Sequence, residues 1–298
     1  QELEIDRHMD LNYDLFVDLT PEFHQERSQK AQDRSAWRNM KRMTPKQINT
    51  WRSHYKPKDA AFKKGKLSGK DLIRWKFQRY AKNYLRCVKG VDESLHTLQE
   101  ELRKLGLDKN TIVIYSSDQG FYIGDHGWYD KRWMYEESLK MPLIVKWPGT
   151  IKAGSKQEEM VQNLDYAQTF LDLAGAPQPK DMQGRSIVPL LKGEKLDNWR
   201  KEIYYHYYEY PSVHMVPRHY GIRTNRYKLM HFYEFGDEWE MYDLKKDPDE
   251  VTNIYGKEEF LELQKSLKKR LKNLQKFYDD QSDISVRPEY IEKYRKKS

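Results

Sequence analysis

Cysteine is almost absent from this sequence. Its 298 residues hold one, Cys87, which excludes an internal disulfide framework and any thiolate metal cluster and leaves the redox compartment unread. Long apolar runs are missing too. No stretch approaches the length of a membrane span, and the first residues, Gln1-Glu2-Leu3-Glu4, carry neither an initiator methionine nor a signal-peptide pattern. A chain that starts in mid-stride reads as a truncated or processed piece. There is no internal repeat, helix-turn-helix, finger or aromatic RNA signature, so nucleic acid is not an expected partner. Acidic residues are in deficit, with 54 Lys and Arg against 46 Asp and Glu and a net charge of +8. That surplus either steers the chain toward a polyanion (nucleic acid, an acidic membrane surface, a sulfated glycan) or merely solubilises it. Much of it sits in Lys-rich stretches such as 265–276 and in the tail.

What is present argues for a folded body. Hydrophobic residues make up 38%, with 22 Tyr and 8 Trp, enough to build a core despite the charged fraction. The first 70 residues are polar, with helix-start signals at Thr44-Pro45-Lys46-Gln47 and Ser68-Gly69-Lys70-Asp71. From Phe77 the apolar positions Ala81, Tyr84, Val88, Val91, Leu95, Leu98, Leu102 and Leu105 follow steps of four and three, which predicts one long amphipathic helix ended by Gly106. A short turn leads into Thr111-Ile112-Val113-Ile114-Tyr115, whose doubly apolar character suits a strand buried on both faces of a parallel sheet. A second such strand, Pro142-Leu143-Ile144-Val145-Lys146-Trp147, and a helix over 165–174 with Gly175 as its stop continue an α/β pattern, doubly wound up to about Leu191. The texture then changes. Residues 203–210 and 220–233 read as antiparallel strands and 258–278 as an amphipathic terminal helix, giving two domains, 1–197 and 198–298.

The segment with chemistry begins where the first strand ends, at Ser116-Ser117-Asp118-Gln119-Gly120. Ligands gather beyond the carboxyl ends of strands in α/β sheets. Asp118 and Gln119 offer a carboxylate and an amide carbonyl, hard oxygen ligands of the kind that Ca²⁺ or Mg²⁺ prefers, unless the segment is only a turn. The chain continues Phe121-Tyr122-Ile123-Gly124-Asp125-His126-Gly127-Trp128-Tyr129-Asp130-Lys131-Arg132-Trp133-Met134-Tyr135-Glu136-Glu137-Ser138, then Met141-Pro142-Leu143. In this order the motifs resemble the type I sulfatase family of the alkaline-phosphatase-like superfamily, most of all bacterial carbohydrate sulfatases. The resemblance extends over about 71–255, through Asn163-Leu164-Asp165, Gly184-Arg185-Ser186 and Tyr242-Asp243-Leu244-Lys245-Lys246-Asp247-Pro248.

The resemblance implies an alkaline-phosphatase-like α/β fold with a smaller C-terminal subdomain, hydrolysis of a sulfate ester on a sulfated sugar or glycan, and a parent protein in the periplasm or outside the cell. It makes Asp118 and Gln119 calcium ligands, with magnesium as the other hard cation, and brings Lys131 to a sulfate oxygen. His126, between two glycines, either hydrogen-bonds near the leaving group or braces its loop, while Asp125 and Asp130 suit loop caps. In 204–220, aromatics mixed with His and Arg suit sugar binding, so His214, Arg218 and His219 are candidate substrate contacts, against an ordinary surface β-hairpin. One departure is plain. The family's formylglycine arises from a Cys/Ser-x-Pro/Ala-x-Arg motif that this sequence lacks, and Cys87 reads as a helix-packing residue. The first pair of metal-binding aspartates is unmatched as well, and Asp279-Asp280 does not replace it. A chain without these is expected to be inactive alone and to expose apolar surface. The rivals are a phosphatase or phosphodiesterase of the same superfamily, which uses zinc held by His, and a basic polyanion-binding module.

Overall fold

Thr44 begins the first helix among the described residues because its hydroxyl accepts the Gln47 amide while the Gln47 side chain accepts the Thr44 amide at 2.7 Å, a reciprocal cap. In the computed structural model this helix, α1, runs Pro45–Gly65, and the long helix α2 runs Gly69–Lys104. The structure describes residues 9–11, 14–17, 42–210, 214, 216–234 and 236–280; the tail beyond Asp279, which by its composition is expected to be a poorly packed extension, lies outside them except for Asp280. Helix α2 starts about two turns earlier than its apolar stripe, at the Ser68-Gly69 signal, and Gly106 takes the left-handed conformation (φ 69°) that stops it. In the second half of the stripe Val88, Val91, Leu98 and Leu105 are exposed, while Leu95 and Leu102 are half-buried.

By packing, the chain divides into two compact units, Gln1–Leu102 with Tyr122–Asp130, and Arg103–Phe121 with Lys131–Ser298. This division differs from the change of texture near residue 197, which coincides instead with the start of an antiparallel sheet at Glu202. In the first unit Met9, Leu15 and Val17 form a small core with Phe62, Ile73 and Trp75. Arg79 secures it. Its guanidinium reaches the Leu15 carbonyl (3.0 Å), pairs with buried Asp59 (3.0 Å) and lies 4.2 Å from the Tyr55 ring centre. The same unit holds the two-stranded ribbon β2 (Tyr122–Ile123) and β3 (Tyr129–Asp130).

In the second unit β1 (Val113–Ser116) pairs with β4 (Leu143–Lys146) antiparallel, in the register Val113↔Lys146 to Ser116↔Leu143. This corrects the expected parallel pairing, and burial on both faces as well, since Ile144 is exposed. Apolar character along a strand reports which faces are dry but carries no information about the direction of its neighbour. Helix α4 (Asp165–Leu173) follows, with α3 (Glu136–Leu139) before it and α5 (Val188–Leu191) after. The fully buried Asp165 carboxylate accepts the Gln162 and Arg185 amides (both 2.8 Å) and pairs with Arg200. Gly184 is required there, because an added Cβ would fall 1.9 Å from the Leu164 carbonyl oxygen. Thus the Asn163-Leu164-Asp165 and Gly184-Arg185-Ser186 motifs are two sides of one contact.

Strands β5 (Glu202–Tyr207), β6 (His219–Thr224), β7 (Tyr227–Phe232) and β8 (Glu238–Asp243) form an antiparallel sheet in sequence order. Helix α6 (Leu261–Phe277) covers one face, packing Leu267 and Leu271 on Tyr220, Ile222, Leu229 and Met241. Because side chains alternate, the partners of these positions, His219, Gly221, Arg223, Lys228 and Met230, face the opposite way. On that second face the buried Met134 sits over Gly221, where a Cβ would meet its sulfur at 2.6 Å and the Leu229 carbonyl at 2.4 Å. Gly221→Ala is therefore expected to lower the unfolding free energy by about 1–3 kcal/mol through overpacking, read from urea denaturation; an unchanged midpoint would show that this contact relaxes freely.

Candidate functional site

Four consecutive residues after Lys131 dock across the second face of the sheet. Trp133 lies against His219 and Phe232, with ring centres 6.0 and 5.7 Å away. Met134 fills the space over Gly221, and the Tyr135 hydroxyl donates to Glu240 at 2.6 Å. Glu136 is held by Arg223 (2.9 and 3.2 Å) and by the fully buried Lys228 (3.0 Å). Lys228 also pairs with Glu250 at 2.7 Å, and Glu250 accepts the Glu136 amide at 2.7 Å, capping the start of α3. Burial pushes the Glu136 carboxyl up, but the Arg223 hydrogen bonds and the charges of Lys228 and Arg223 outweigh it and hold the group down to about 2. Burial raises Glu250 against the opposing pull of Lys228.

This clamp fixes α3, and α3 fixes both parts of the candidate site. The carbonyl of buried Ser138 accepts the Gly120 amide at 2.8 Å, and its hydroxyl accepts the Arg132 amide at 3.0 Å. The turn carrying Asp118 and Gln119 and the backbone beside Lys131 therefore hang from one residue. Gly120 is necessary at its place, since a Cβ would lie 1.9 Å from the Glu137 carbonyl oxygen. The Tyr205 hydroxyl donates to the Arg132 carbonyl at 2.7 Å, and Arg132 itself has φ 92°, a left-handed value that side chains seldom adopt without such restraint.

Asp118 is exposed and Gln119 half-buried at the end of β1. Asn163 donates to the Asp118 main-chain carbonyl at 2.6 Å, so the backbone here is fixed from a second side. The donor set suits a hard cation, but two oxygens supply only part of the roughly six to eight that calcium takes, and among the described residues no group of three His, Cys, Asp or Glu can hold a metal. These residues fit as a portion of a cation site. Lys131 is half-buried, with its ammonium 5.9 Å from the centre of the Phe121 ring, two residues beyond Gln119.

The remaining candidates separate. His214 is exposed and its Nε2 lies 2.7 Å from an Arg132 nitrogen, which associates it with the residue following Lys131. Arg218 and His219 are buried instead of presented on a surface hairpin. Arg218 pairs with Glu234 at 2.6 Å inside the unit. His219 donates from Nδ1 to the Pro217 carbonyl at 2.8 Å, packs among Trp133, Tyr205, Tyr207 and Phe232, and is kept neutral by burial, which pushes it down to about 4. His126 belongs to the first unit, in the tight turn between β2 and β3, with φ 55° between Gly124 (φ 118°) and Gly127 (φ 78°). The Asp125 carboxylate accepts the Ile123 amide at 3.1 Å, a loop cap as its position suggests. Sequence reasoning passed over Arg132, Ser138, Tyr205 and Lys228. Of these only Ser138 and Arg132 stand inside the recurrent motif.

Fold and motifs together define a chain of the sulfatase class. It belongs to the sulfatase family: the family model described as Sulfatase matches residues 16–176, and the one described as N-sulphoglucosamine sulphohydrolase, C-terminal, matches 124–277. An N-acetylglucosamine-6-O-sulfatase of Bacteroides thetaiotaomicron is 51% identical over 242 residues, 80% of this chain and 43% of that protein. Arylsulfatase K of Canis lupus familiaris is 35% identical over 196 residues, 64% of this chain and 36% of its own length. The solved structure of BT4656 in complex with its substrate D-glucosamine-2-N,6-O-disulfate superposes with a TM-score of 0.87 at 45% identity, covering 95% of this chain and 57% of the other. The chain thus spans about half the length of the relatives it matches.

The Glu136 clamp sets an acid limit on stability. A carboxyl held near 2 when folded, against the usual glutamate value of 4.5, contributes stability that is complete above about pH 5 and is lost as pH falls toward 2. The contribution is on the order of 3 kcal/mol. Glu136→Gln is expected to lower stability at pH 7 and to flatten its slope between pH 5 and 2, measured by denaturant titration at each pH; an equal slope in both proteins would remove Glu136 as the source.

Proposed function

We propose that this chain forms the anion-gripping and substrate-facing portion of a sulfuric ester hydrolase acting on a 6-O-sulfated glucosamine-type sugar. The observation that carries the reading is the shared suspension of the Asp118-Gln119 turn and the Lys131 backbone from Ser138. A sulfate ester accumulates charge on its leaving and non-bridging oxygens as the S–O bond breaks, and a fixed ammonium stabilises that charge more than it stabilises the ground state. Lys131 supplies the ammonium. Asp118 and Gln119 supply part of the coordination of a calcium ion, with magnesium the alternative hard cation, which when bound polarises the sulfate oxygens. The nucleophile is a formylglycine contributed from outside these 298 residues.

His214, backed by Arg132, is the proposed contact to the sugar, and His126 a proposed hydrogen-bond partner close to the leaving group. Arg218, held by Glu234, and His219, wedged behind Trp133, support that surface from within. The sugar assignment draws on the substrate named for the 45% identical structure and on the name of the 51% identical relative. No helix among the described residues is long and apolar enough to cross a membrane, and an exported location for the parent protein is the reading that the extracellular sulfatase among the relatives favours.

Two outcomes are expected. The 298-residue chain does not turn over 4-nitrophenyl sulfate or N-acetylglucosamine 6-sulfate, because no nucleophile motif is present; measurable, calcium-dependent release of sulfate by this chain would overturn the assignment of the nucleophile. In a longer chain that carries the nucleophile segment, Lys131→Ala lowers kcat by about 10²–10³ while Ser138→Ala lowers it less and leaves substrate affinity nearly unchanged. An unaltered kcat in the Lys131 variant would exclude its role at the sulfate.

A further inference from the structure

A cavity of 460 Å³ opens in the second unit beside the segment that braces Asp118. Its wall includes Gln162 and Leu164, the neighbours of the Asn163 whose amide holds the Asp118 carbonyl. Beside Gln183, the rest is aromatic and acidic: Tyr204, His206, Tyr208 and Tyr278 with Asp279 and Asp280. One Asp280 carboxylate oxygen accepts from the Tyr204 hydroxyl, from the Tyr208 hydroxyl at 3.1 Å and from His206 Nδ1 at 2.6 Å. With Nδ1 donating, His206 Nε2 accepts from the Tyr233 hydroxyl at 2.7 Å, so the ring is satisfied as the neutral species. Burial also lowers the His206 pKa, against the pull of Asp280.

Three features narrow the chemistry of a ligand. The lining contains no Lys or Arg but includes Asp279 and Asp280, a charge balance that repels sulfate and favours groups that donate hydrogen bonds. Flat rings present faces, with Tyr204 parallel to Tyr278 (6.1 Å, 16°) and Tyr208 tilted by 34° against His206 at 3.8 Å while remaining half exposed. Finally, the Gln162 side-chain nitrogen is buried with no hydrogen-bond partner among the described residues, a donor whose desolvation is uncompensated until an acceptor arrives. The volume lies within the roughly 300–1,000 Å³ of small-molecule sites.

We propose that this cavity is a second carbohydrate subsite, which takes an unsulfated pyranose through ring stacking on Tyr208, donation from its hydroxyl or amino groups to the aspartates, and acceptance from Gln162. It deepens the sulfatase reading, because the Gln162-Asn163 link would place this sugar as a neighbour of the sulfated unit in one glycan. It does not depend on turnover. An anionic glycan would then meet two kinds of ground, a cationic grip for its ester and an acidic aromatic cleft for an uncharged or amino-bearing residue.

The test is titration of the 298-residue chain with glucosamine and with N-acetylglucosamine, followed by ligand-observed saturation-transfer NMR and tyrosine fluorescence. Saturable binding in the millimolar range is expected, weakened about tenfold by Tyr208→Ala and comparably by Gln162→Leu. Inorganic sulfate at equal concentration should not compete. Tyr208 is exposed enough that its variant folds, which circular dichroism verifies. Absence of saturable binding, binding equal in the wild type and both variants, or displacement by sulfate would each overturn the proposal. None of these results bears on Lys131, whose failure would appear only as unchanged kcat.

Discussion

The ammonium of Lys228 is fully buried, and the arrangement of the second unit follows from how its charge is met. Removing such a group from water costs several kcal/mol, offset only when opposite charges lie close to it. Glu136 and Glu250 approach it to 3.0 and 2.7 Å, and each performs a further task. Glu136 also binds Arg223, and Glu250 caps the first amide of α3. Four charges from three distant stretches are thereby locked together. From the position of α3 come the positions of Ser138, Gly120 and Arg132, and from those the backbone on which Asp118, Gln119 and Lys131 stand.

Much of the local structure was legible because it rests on short-range rules. The three-and-four spacing of α2, the capping pair Thr44 and Gln47, and the stop at Gly106 each need only a few neighbours in the chain. The four-stranded sheet and α6 were visible for the same reason. Direction of pairing between β1 and β4 was not, since the apolar character of both strands is the same whichever way a partner runs. Lys228 illustrates a second limit. Between Tyr227 and Leu229 it reads as the solvent side of an alternating strand, and the docking of a segment that includes Glu136, 92 positions earlier, turns that side into an interior.

The substrate-facing candidates divide along the same line. His214, Arg218 and His219 are one chemical set in the sequence, yet the fold leaves His214 outside and takes the other two in. Strand β6 begins at His219 and gives its odd-numbered positions to the face covered by Trp133 and Met134. A histidine there is packing with a dipole attached. The family resemblance groups the loop holding Lys131 with the Trp-Met-Tyr-Glu segment after it, and the structure gives each of those four side chains a fixed seat on the sheet.

That seating also dictates the order in which the molecule can assemble. Tyr135 reaches Glu240 across 105 residues of sequence and Glu136 reaches Arg223 across 87, so the contacts that seat the lysine-bearing loop are mostly distant in sequence. It must wait for a late-synthesised meander. On the ribosome, the lysine-bearing segment emerges before the sheet that seats it, a topology that slows folding because long chain closures precede the contacts that reward them.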